Sequence, residues 1–578
     1  MPSPPPIIWP QQPAKAALRP SSVRRAPLIQ FNARAPSDIM PDQFDFIIVG
    51  AGSAGCVLAN RLTESGKHRV LLLEAGGSHK RLMIDMPAGL GHVFYDPKVN
   101  WCYTAEPDQQ MGGRTDFWPR GRVLGGSSSI NGMVYIRGQR EDFDDWAALG
   151  NTGWGFDDVL PYFRRSEDND LGESDHHSVG GPWQISSIKG RQSPVVDRAI
   201  ESARALGHPE NADFNGEQQA GVGLYQFSIR GGRRTSNARA FLDPAMRRRN
   251  LTVVTNAQTR RILFDGRRAI GVEYSHKGRL VTASCRAEVL VAAGSINSPM
   301  LLQQSGVGPG GLLQLHGIPV VADSPAVGEN LQDHVFTGFS YKVKLPTLND
   351  TYKTLPRQIL AGIRWVLTRT GPLSLGINQG GAFVSTRPGE TRPDTQLYFY
   401  PLSFGAAPDG KPRSLHPHPF SGMTMNASPC RPESRGHIRI RSADPDAPPI
   451  IHRNYLATPN DVRVMVDSLR IIDTIARTRP LADIIESPVY PLGDPPTDAQ
   501  LETWARQTGR TTYHPTSTCT MGVDPRTSVV DPRLKVHGVD GLRVIDASIM
   551  PLIVSGNTAA AATMIGEKGA DLVLADHA

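Results

Sequence analysis

A chain of 578 residues is too long for one hydrophobic core, which excludes a small binding module and calls for two packed units or one large two-part enzyme. Hydrophobic residues at 39% and charged residues at 20%, with 57 Gly and 48 Pro, suit a loop-rich globular protein and exclude a fibrous one. Of the net charge of +7, Lys15, Arg19, Arg24, Arg25 and Arg34 against Asp38 carry +4, so the body is near neutral, which argues against a nucleic-acid groove.

Residues 1–39 hold nine prolines, almost no acid and no hydrophobic period, and read as a disordered extension. Two readings of it stand side by side: a start site placed upstream of a natural amino terminus at Met40, or a targeting segment rich in Arg, Ser and Ala. From Asp45 the pattern becomes strand, glycine turn, helix, strand: Phe46–Val49 is apolar throughout, Ser53–Ser65 has helical spacing, and Arg69–Leu73 is apolar again. That is a βαβ unit with a parallel sheet. Leu251–Thr255, Glu288–Ala292 and Leu542–Ile545 read as later strands of the same sheet. Residues 341–500 mix strand-like alternation at Gln396–Tyr400 and His437–Arg441 with a helix over Asn460–Thr478, and read as a substrate-side unit.

Five cysteines, Cys56, Cys102, Cys285, Cys430 and Cys519, are an odd number without a CxxC pair, which indicates neither a disulfide framework nor a zinc ribbon. His334, His437, His452 and His537 are scattered without ligand spacing, so they read as structural histidines and no metal site is expected. No run approaches the roughly 18 uninterrupted apolar residues that a bilayer span needs. The expectation is a cytoplasmic protein with peripheral membrane association left open and its oligomeric state undetermined.

Gly50-Ala51-Gly52-Ser53-Ala54-Gly55 is G-x-G-x-x-G placed directly between a strand and a helix. Its glycines allow the tight turn, the close approach of a pyrophosphate and the packing of helix on strand, while the helix N-terminus attracts the phosphates. Glu74 ends the next strand, where a carboxylate can accept from the hydroxyls of an adenosine ribose. Together these features predict a dinucleotide site.

Two further segments resemble the two signature patterns of the glucose-methanol-choline (GMC) family of flavoprotein oxidoreductases. They are Gly121-Arg-Val-Leu-Gly-Gly-Ser-Ser-Ser-Ile-Asn131-Gly-Met-Val-Tyr-Ile-Arg-Gly138 and Gly294-Ser-Ile-Asn-Ser-Pro299-Met-Leu-Leu-Gln-Gln-Ser-Gly-Val-Gly308. The resemblance runs from about Asp45 to the C-terminus and includes Trp154-Gly155, Gly328-Glu-Asn-Leu-Gln-Asp333 and Val544-Ile-Asp-Ala-Ser548. It implies an α/β fold: a Rossmann-like FAD-binding unit with a parallel sheet, and a substrate unit with a mostly antiparallel sheet and helices. The FAD unit is expected from residues 40–160, 235–335 and 505–578, the substrate unit from 161–234 and 336–504.

The resemblance further implies FAD, held noncovalently because Ile130 stands where members with covalent flavin carry a histidine. Cofactor contacts are expected from Trp101, Arg122 and Val123, and from Gly125, Gly126 and Ser127, which with Ser128 and Ser129 form a small-residue loop that lets amides approach an electron-rich flavin edge. Asn131, Gly132, Met133 and Val134 are expected beside the ring, and the Ala257 backbone on the adenine. Asp546, Ala547, Asn557 and Thr558 complete the expected set, although an Asp after a strand is also a common helix cap.

Tyr513-His514-Pro515-Thr516 and Gly556-Asn557-Thr558-Ala559 match the segments that carry the family's catalytic pair. The resemblance makes His514 the general base over the flavin and Asn557 the residue that holds the substrate oxygen. A neutral imidazole can take the alcohol proton as hydride passes to flavin N5, and an amide N–H can stabilise the developing alkoxide. The expected activity is oxidation of a primary alcohol, closest to the choline and aliphatic-alcohol dehydrogenase group, with electrons passed to oxygen or a quinone-like carrier rather than NAD. Two alternatives on the same scaffold are kept: fatty-acid photodecarboxylation, suggested by Cys430-Arg431-Pro432, and hydroxynitrile lyase activity.

Overall fold

The computed structural model describes residues 38–39, 43–405 and 416–578. Two sheets organise them. In the first, Phe44–Val49, Val70–Glu74, Leu251–Thr255, the second half of Arg279–Val291 and Leu542–Val544 run parallel, in the spatial order 251–255, 70–74, 44–49, 279–291, 542–544. Every residue of Val70–Glu74 is buried, as expected for strands covered on both faces by crossover helices. The register aligns Val49 with Leu73 and with Val291, and Val291 with Val544. All five strands therefore end at one edge, where an open parallel sheet binds its ligand.

The expected strand at Glu288–Ala292 is the last third of a longer one. Arg279–Val291 starts in an antiparallel pairing with Arg268–His276, which in turn pairs with Ala257–Asp265, and enters the parallel sheet past an irregularity between Cys285 and Glu288. Its first half is partly exposed and mixes polar with apolar residues, so it lacks the continuous apolar run that marks the second half. Asp38–Ile39, the last residues of the expected disordered extension, pair parallel with Val281–Thr282. That corrects the boundary at 39: the outer edge of the long strand offers free backbone groups that a short segment can satisfy. Residues 1–37, and with them both readings of the extension, lie outside the described residues.

The helix Ser53–Thr63 is locked onto the sheet by small residues: a Cβ at Gly55 would meet the Gly50 carbonyl oxygen at 1.9 Å. The C-terminal helix Ala559–Asp576 packs against it through Gly566, whose Cβ would lie 2.9 Å from Ala54 Cα. Between them Glu567 is fully buried and accepts from Arg61 Nε and Nη2, both at 2.8 Å, and from Arg165 Nη2 at 2.6 Å. A buried carboxylate requires this multiple pairing.

The second sheet is antiparallel, in the order 485–488, 335–343, 422–429, 395–400, 380–384, 221–224. The helix Pro459–Arg477 covers it with Val464, Met465, Leu469, Ile472 and Ile475, and begins at Thr458, whose hydroxyl accepts from the Asp461 amide. Arg510–Thr511 pairs with Val335–Phe336, so the chain after 505, expected on the cofactor side, touches the antiparallel sheet before it returns. His437–Arg439 is a short strand paired with Ile450–His452 rather than part of that sheet. Among the described residues all five cysteines are free, no helix is long and apolar enough to cross a membrane, and no cluster of three acidic, His or Cys side chains could hold a metal ion.

Candidate active site

One cavity of about 1090 Å³ runs from the carboxyl edge of the parallel sheet to the face of the antiparallel sheet. Gly50, Glu74, Ala257, Ala292 and Asp546, which follow or end the five parallel strands, line its first half. Gly50 takes φ +99°, a left-handed conformation that glycine adopts without strain. The helix Ser53–Thr63 opens into the cavity at Gly52, Ser53 and Ala54 with no side chain capping it and no acid in its first turn. Its first amides are thus left to an anionic ligand.

Glu74 is buried; Ala51 N–H donates to its Oε2 at 2.9 Å and Gly76 N–H to its Oε1 at 2.8 Å. The carboxylate thereby clamps the glycine loop and keeps one lone pair on each oxygen for a ligand hydroxyl. Burial raises its pKa to about 7, against the two amide bonds and Arg122, which pull it down. Asp546 does what a helix cap does: its Oδ2 accepts from Gly294 N–H at 2.8 Å and Ser298 Oγ at 2.6 Å, its Oδ1 from Ser548 N–H at 2.8 Å. It also faces the cavity, as do Ala547 and Thr558.

The loop from Gly121 to Val134 forms the adjoining wall. Gly126 must be glycine, since a Cβ there would lie 2.7 Å from Gly52 Cα, and its backbone stands at φ +52°. Arg122 lies over the Trp101 ring at 4.7 Å, and Trp101 stacks on Tyr103 at 5.7 Å, so the tryptophan belongs to the cavity wall rather than the core. Asn131 Oδ1 accepts from Met133 N–H at 3.1 Å and from Arg234 Nη1 at 2.8 Å. Ser127, Gly132, Met133 and Val134 line the cavity beside it. Ile130 is buried among Ile84, Val93, Val99 and Val123.

Three expected contact residues are not brought to the cavity. Gly55 packs helix on strand, Val123 is in the apolar cluster with Ile130, and Gly125, at φ +90°, donates its N–H to the Ala51 carbonyl at 2.7 Å. Their parts are to shape the loops that line the cavity, because each is tied to backbone or core behind them. A dinucleotide fits the remaining set: a free helix N-terminus, a glycine cradle that a Cβ would fill, and an unpartnered buried Ser295 hydroxyl on the lining.

At the far end stand His514 and Asn557. Tyr513, at φ +69°, turns the chain so that His514 faces inward; Arg120 Nη2 donates to the Tyr513 carbonyl at 2.6 Å and His514 N–H to Asp333 Oδ1 at 2.8 Å. Asp333 also accepts from Thr511 Oγ1 at 2.6 Å and from the Tyr455 hydroxyl, and burial raises its pKa to about 6. A non-glycine residue in that conformation costs about 1–3 kcal/mol, which these bonds hold in place.

The tautomer of His514 follows from its neighbours. His334 Nε2 lies 2.9 Å from the Cys430 carbonyl, which only accepts, so Nε2 carries the proton and His334 Nδ1 has a lone pair. His514 Nδ1, 3.1 Å away, must therefore donate to it, which leaves the lone pair of His514 on Nε2. Asn557 Nδ2 lies 3.1 Å from that Nε2 and donates to it. The amide is oriented from its other side: Asn557 Oδ1 accepts from Gln396 Nε2 at 3.4 Å, and Gln396 Oε1 accepts from the Tyr398 hydroxyl at 2.7 Å. Burial, His334 and Arg120 hold the His514 pKa well below the usual histidine range, and burial takes His334 to about 4. Both imidazoles are neutral near pH 7, and His514 is poised as a base.

His334, Asp333, Gln396 and Tyr398 were not expected here. Asp333 ends the Gly328–Asp333 segment and His334 follows it, which was the available signal; nothing local marks Gln396, because its role arises from the antiparallel sheet passing Asn557. Arg431, by contrast, is taken up by Gln139 Oε1 and the Pro393 carbonyl, and Cys430 serves through its backbone. Phe94, Tyr95, Phe336, Tyr398, Tyr400 and Phe404 make the wall around the pair aromatic. Arg510 sits over Phe336 at 5.4 Å and Phe404 at 6.0 Å and forms no salt bridge among the described residues. Glu106 and Asp446, the other lining carboxylates, pair with Arg441 and Arg260.

Residues 44–336 and 432–566 match family models described as GMC oxidoreductase. The chain is 40% identical over 545 residues to an oxygen-dependent choline dehydrogenase of Photobacterium profundum, covering 93% of this chain and 94% of the relative. It is 41% identical to a mitochondrial choline dehydrogenase of Mus musculus, covering 94% and 91%. Among solved structures, pyridoxine 4-oxidase from Mesorbium loti superposes with a TM-score of 0.83 at 31% identity, over 93% of this chain and all of that one. Formate oxidase gives 0.85 at 26% identity, over 94% and 99%.

Proposed function

We propose, for a chain that belongs to the GMC oxidoreductase family and depends on FAD, that it oxidises a primary alcohol to the aldehyde with His514 as base. The observation that carries this reading is the lone pair on His514 Nε2, fixed from one side by His334 and from the other by Asn557. FAD, when bound noncovalently, supplies the hydride acceptor. The helix N-terminus at Gly52–Ala54, Glu74, Asp546 and the Gly126–Val134 wall would hold it.

A substrate hydroxyl seated between His514 and Asn557 donates to Nε2 and accepts from Nδ2. Proton transfer to Nε2 yields an imidazolium, and the Asn557 N–H bond strengthens as charge builds on the substrate oxygen. His334 Nδ1 continues to accept from His514 Nδ1, so the imidazolium is held in place. Aromatic rings line the wall at this end.

The same wall bears on the substrate. Choline would gain cation–π contacts from the rings, but among the described residues the group beside Phe336 and Phe404 is the Arg510 cation, which forms no salt bridge and repels it. An uncharged alcohol with an apolar or aromatic body fits better. Electrons then pass to an acceptor other than NAD, and we read the chain as a dehydrogenase serving a quinone-like carrier. An anaerobic scan near 450 nm with aliphatic alcohols, benzyl alcohol and choline tests the assignment. Bleaching by the uncharged alcohols is expected, with slow recolouring in air; bleaching by choline alone would overturn the substrate class, and none by any alcohol would overturn the reaction.

A further inference from the structure

The helix Leu355–Thr368 is the most exposed apolar element among the described residues. Leu355, Leu360 and Leu367 are 67%, 67% and 76% exposed, and Ile359, Ile363 and Val366 about half exposed. At about 100° per residue these six side chains occupy one arc of roughly 140°. The opposite side holds the helix down: Trp365 is fully buried, its Nε1 donates to the Gly232 carbonyl at 2.8 Å, and Ala361 packs with Met86 and Leu373. The apolar arc is therefore an outward face of an anchored helix, beyond the scattered apolar residues normal for a surface.

Charge decides what covers it. Lys353, Arg357, Arg364 and Arg369 lie in or beside the helix, and no acidic residue occurs between 353 and 369. None of the four forms a salt bridge among the described residues: Arg357 donates to the Asp350 carbonyl, Arg364 to the Thr370 hydroxyl, and Arg369 lies over the Trp365 ring. A second copy of the chain would bring four uncompensated cations against four. An apolar face bordered by unpaired cations matches the surface of an anionic bilayer, with the apolar arc among the acyl chains and the arginines at the headgroups.

We propose that Leu355–Thr368 seats the protein on the surface of an anionic lipid bilayer. The helix packs through Met86 on the segment Leu82–Val93, whose Leu82 and Met83 are themselves exposed and whose Leu90 and Gly91 line the cavity. Seating brings that wall of the cavity next to the lipid, where an apolar alcohol or a quinone-like acceptor would be concentrated. The contact itself does not depend on which alcohol is oxidised.

The test is co-sedimentation of the FAD-loaded full chain with phosphatidylcholine vesicles, with and without a quarter phosphatidylglycerol. Wild type is expected to sediment with the anionic vesicles and far less with the neutral ones. Arg357→Gln/Arg364→Gln should weaken the anionic partition by about 30-fold, the loss expected for two interfacial cations. Leu360→Glu/Leu367→Glu should remain in the supernatant while its flavin spectrum and reduction by a soluble alcohol stay as in wild type. The proposal is overturned if wild type ignores both vesicles or if the leucine pair sediments as wild type does. It is equally overturned if light scattering finds a dimer that the leucine pair dissolves, since a second copy would then cover the face.

Discussion

His334 should control the rate of the chemical step without touching substrate. Its Nδ1 is the acceptor for His514 Nδ1–H at 3.1 Å, and both rings are buried. Replacing it with leucine fills much of the space but removes the acceptor, so the productive tautomer of His514 strands a buried N–H. Leaving such a donor unmet costs about 1–3 kcal/mol, which corresponds to a loss of about 5- to 150-fold in the population with a free Nε2 lone pair. His514 escapes the cost by moving its proton to Nε2, where it can no longer accept from an alcohol. The expected result is a fall of that size in the rate of anaerobic flavin reduction followed by stopped flow, with little change in the substrate concentration at half-saturation. His334→Asn restores an acceptor at the position of Nδ1 and should recover most of the rate, which a purely structural role would not predict. Leucine reducing as fast as wild type, or asparagine as slowly as leucine, would refute the tautomer argument.

Other consequences follow from the same site. His514→Ala should slow flavin reduction by at least about 100-fold, the scale for losing a general base, while FAD remains bound by its absorbance. Because the His514 pKa lies well below the usual histidine range, the limiting rate in wild type should stay level from pH 8 down to 6 and fall only in more acid solution; a half-point near 6.5 would contradict the assigned burial effect. Glu74, at about 7, can accept from a ribose hydroxyl on both oxygens only when ionised, so FAD affinity should be highest above pH 7 and weaken below it, by at most about tenfold per unit. Glu74→Gln should bind FAD weakly and with no such pH dependence, as read by fluorescence titration of the apoprotein. At Gly52 the backbone is at φ −77° and an added Cβ meets nothing nearer than the Ala292 carbonyl oxygen at 3.8 Å, so Gly52→Val should fold yet occupy the cradle. A folded, colourless protein by circular dichroism and absorbance is expected; full FAD occupancy would remove the pyrophosphate from that position.

What the sequence disclosed, and what it hid, divides along a physical line. Gly50–Gly55, Glu74 and the flanking apolar runs were legible because the motif is local: Gly50 stands at a positive φ and a Cβ at Gly55 would meet the Gly50 carbonyl oxygen, so the turn itself calls for glycine at both. His514 and Asn557 were legible through the segments that contain them. Their supports were not, since His334 and Gln396 reach the pair from 180 and 161 positions away, with Tyr398 behind Gln396, and nothing local marks Gln396 or Tyr398 for that destination. The first half of Arg279–Val291 was missed for a related reason: it is half exposed, so it shows neither the unbroken apolar run of a buried strand nor a neighbour visible in sequence. Gly125 and Val123 belong to the same signature segment as Gly126 but are tied behind the loop, so membership of the segment does not by itself place a residue on the cavity lining. A signature therefore marks a segment, and the fold decides which of its residues line the cavity and which pack behind it. That distinction predicts different phenotypes. Residues on the lining such as Glu74 should alter binding or rate in folded protein, whereas Gly55, whose Cβ would press 1.9 Å from a carbonyl oxygen, should fail at folding.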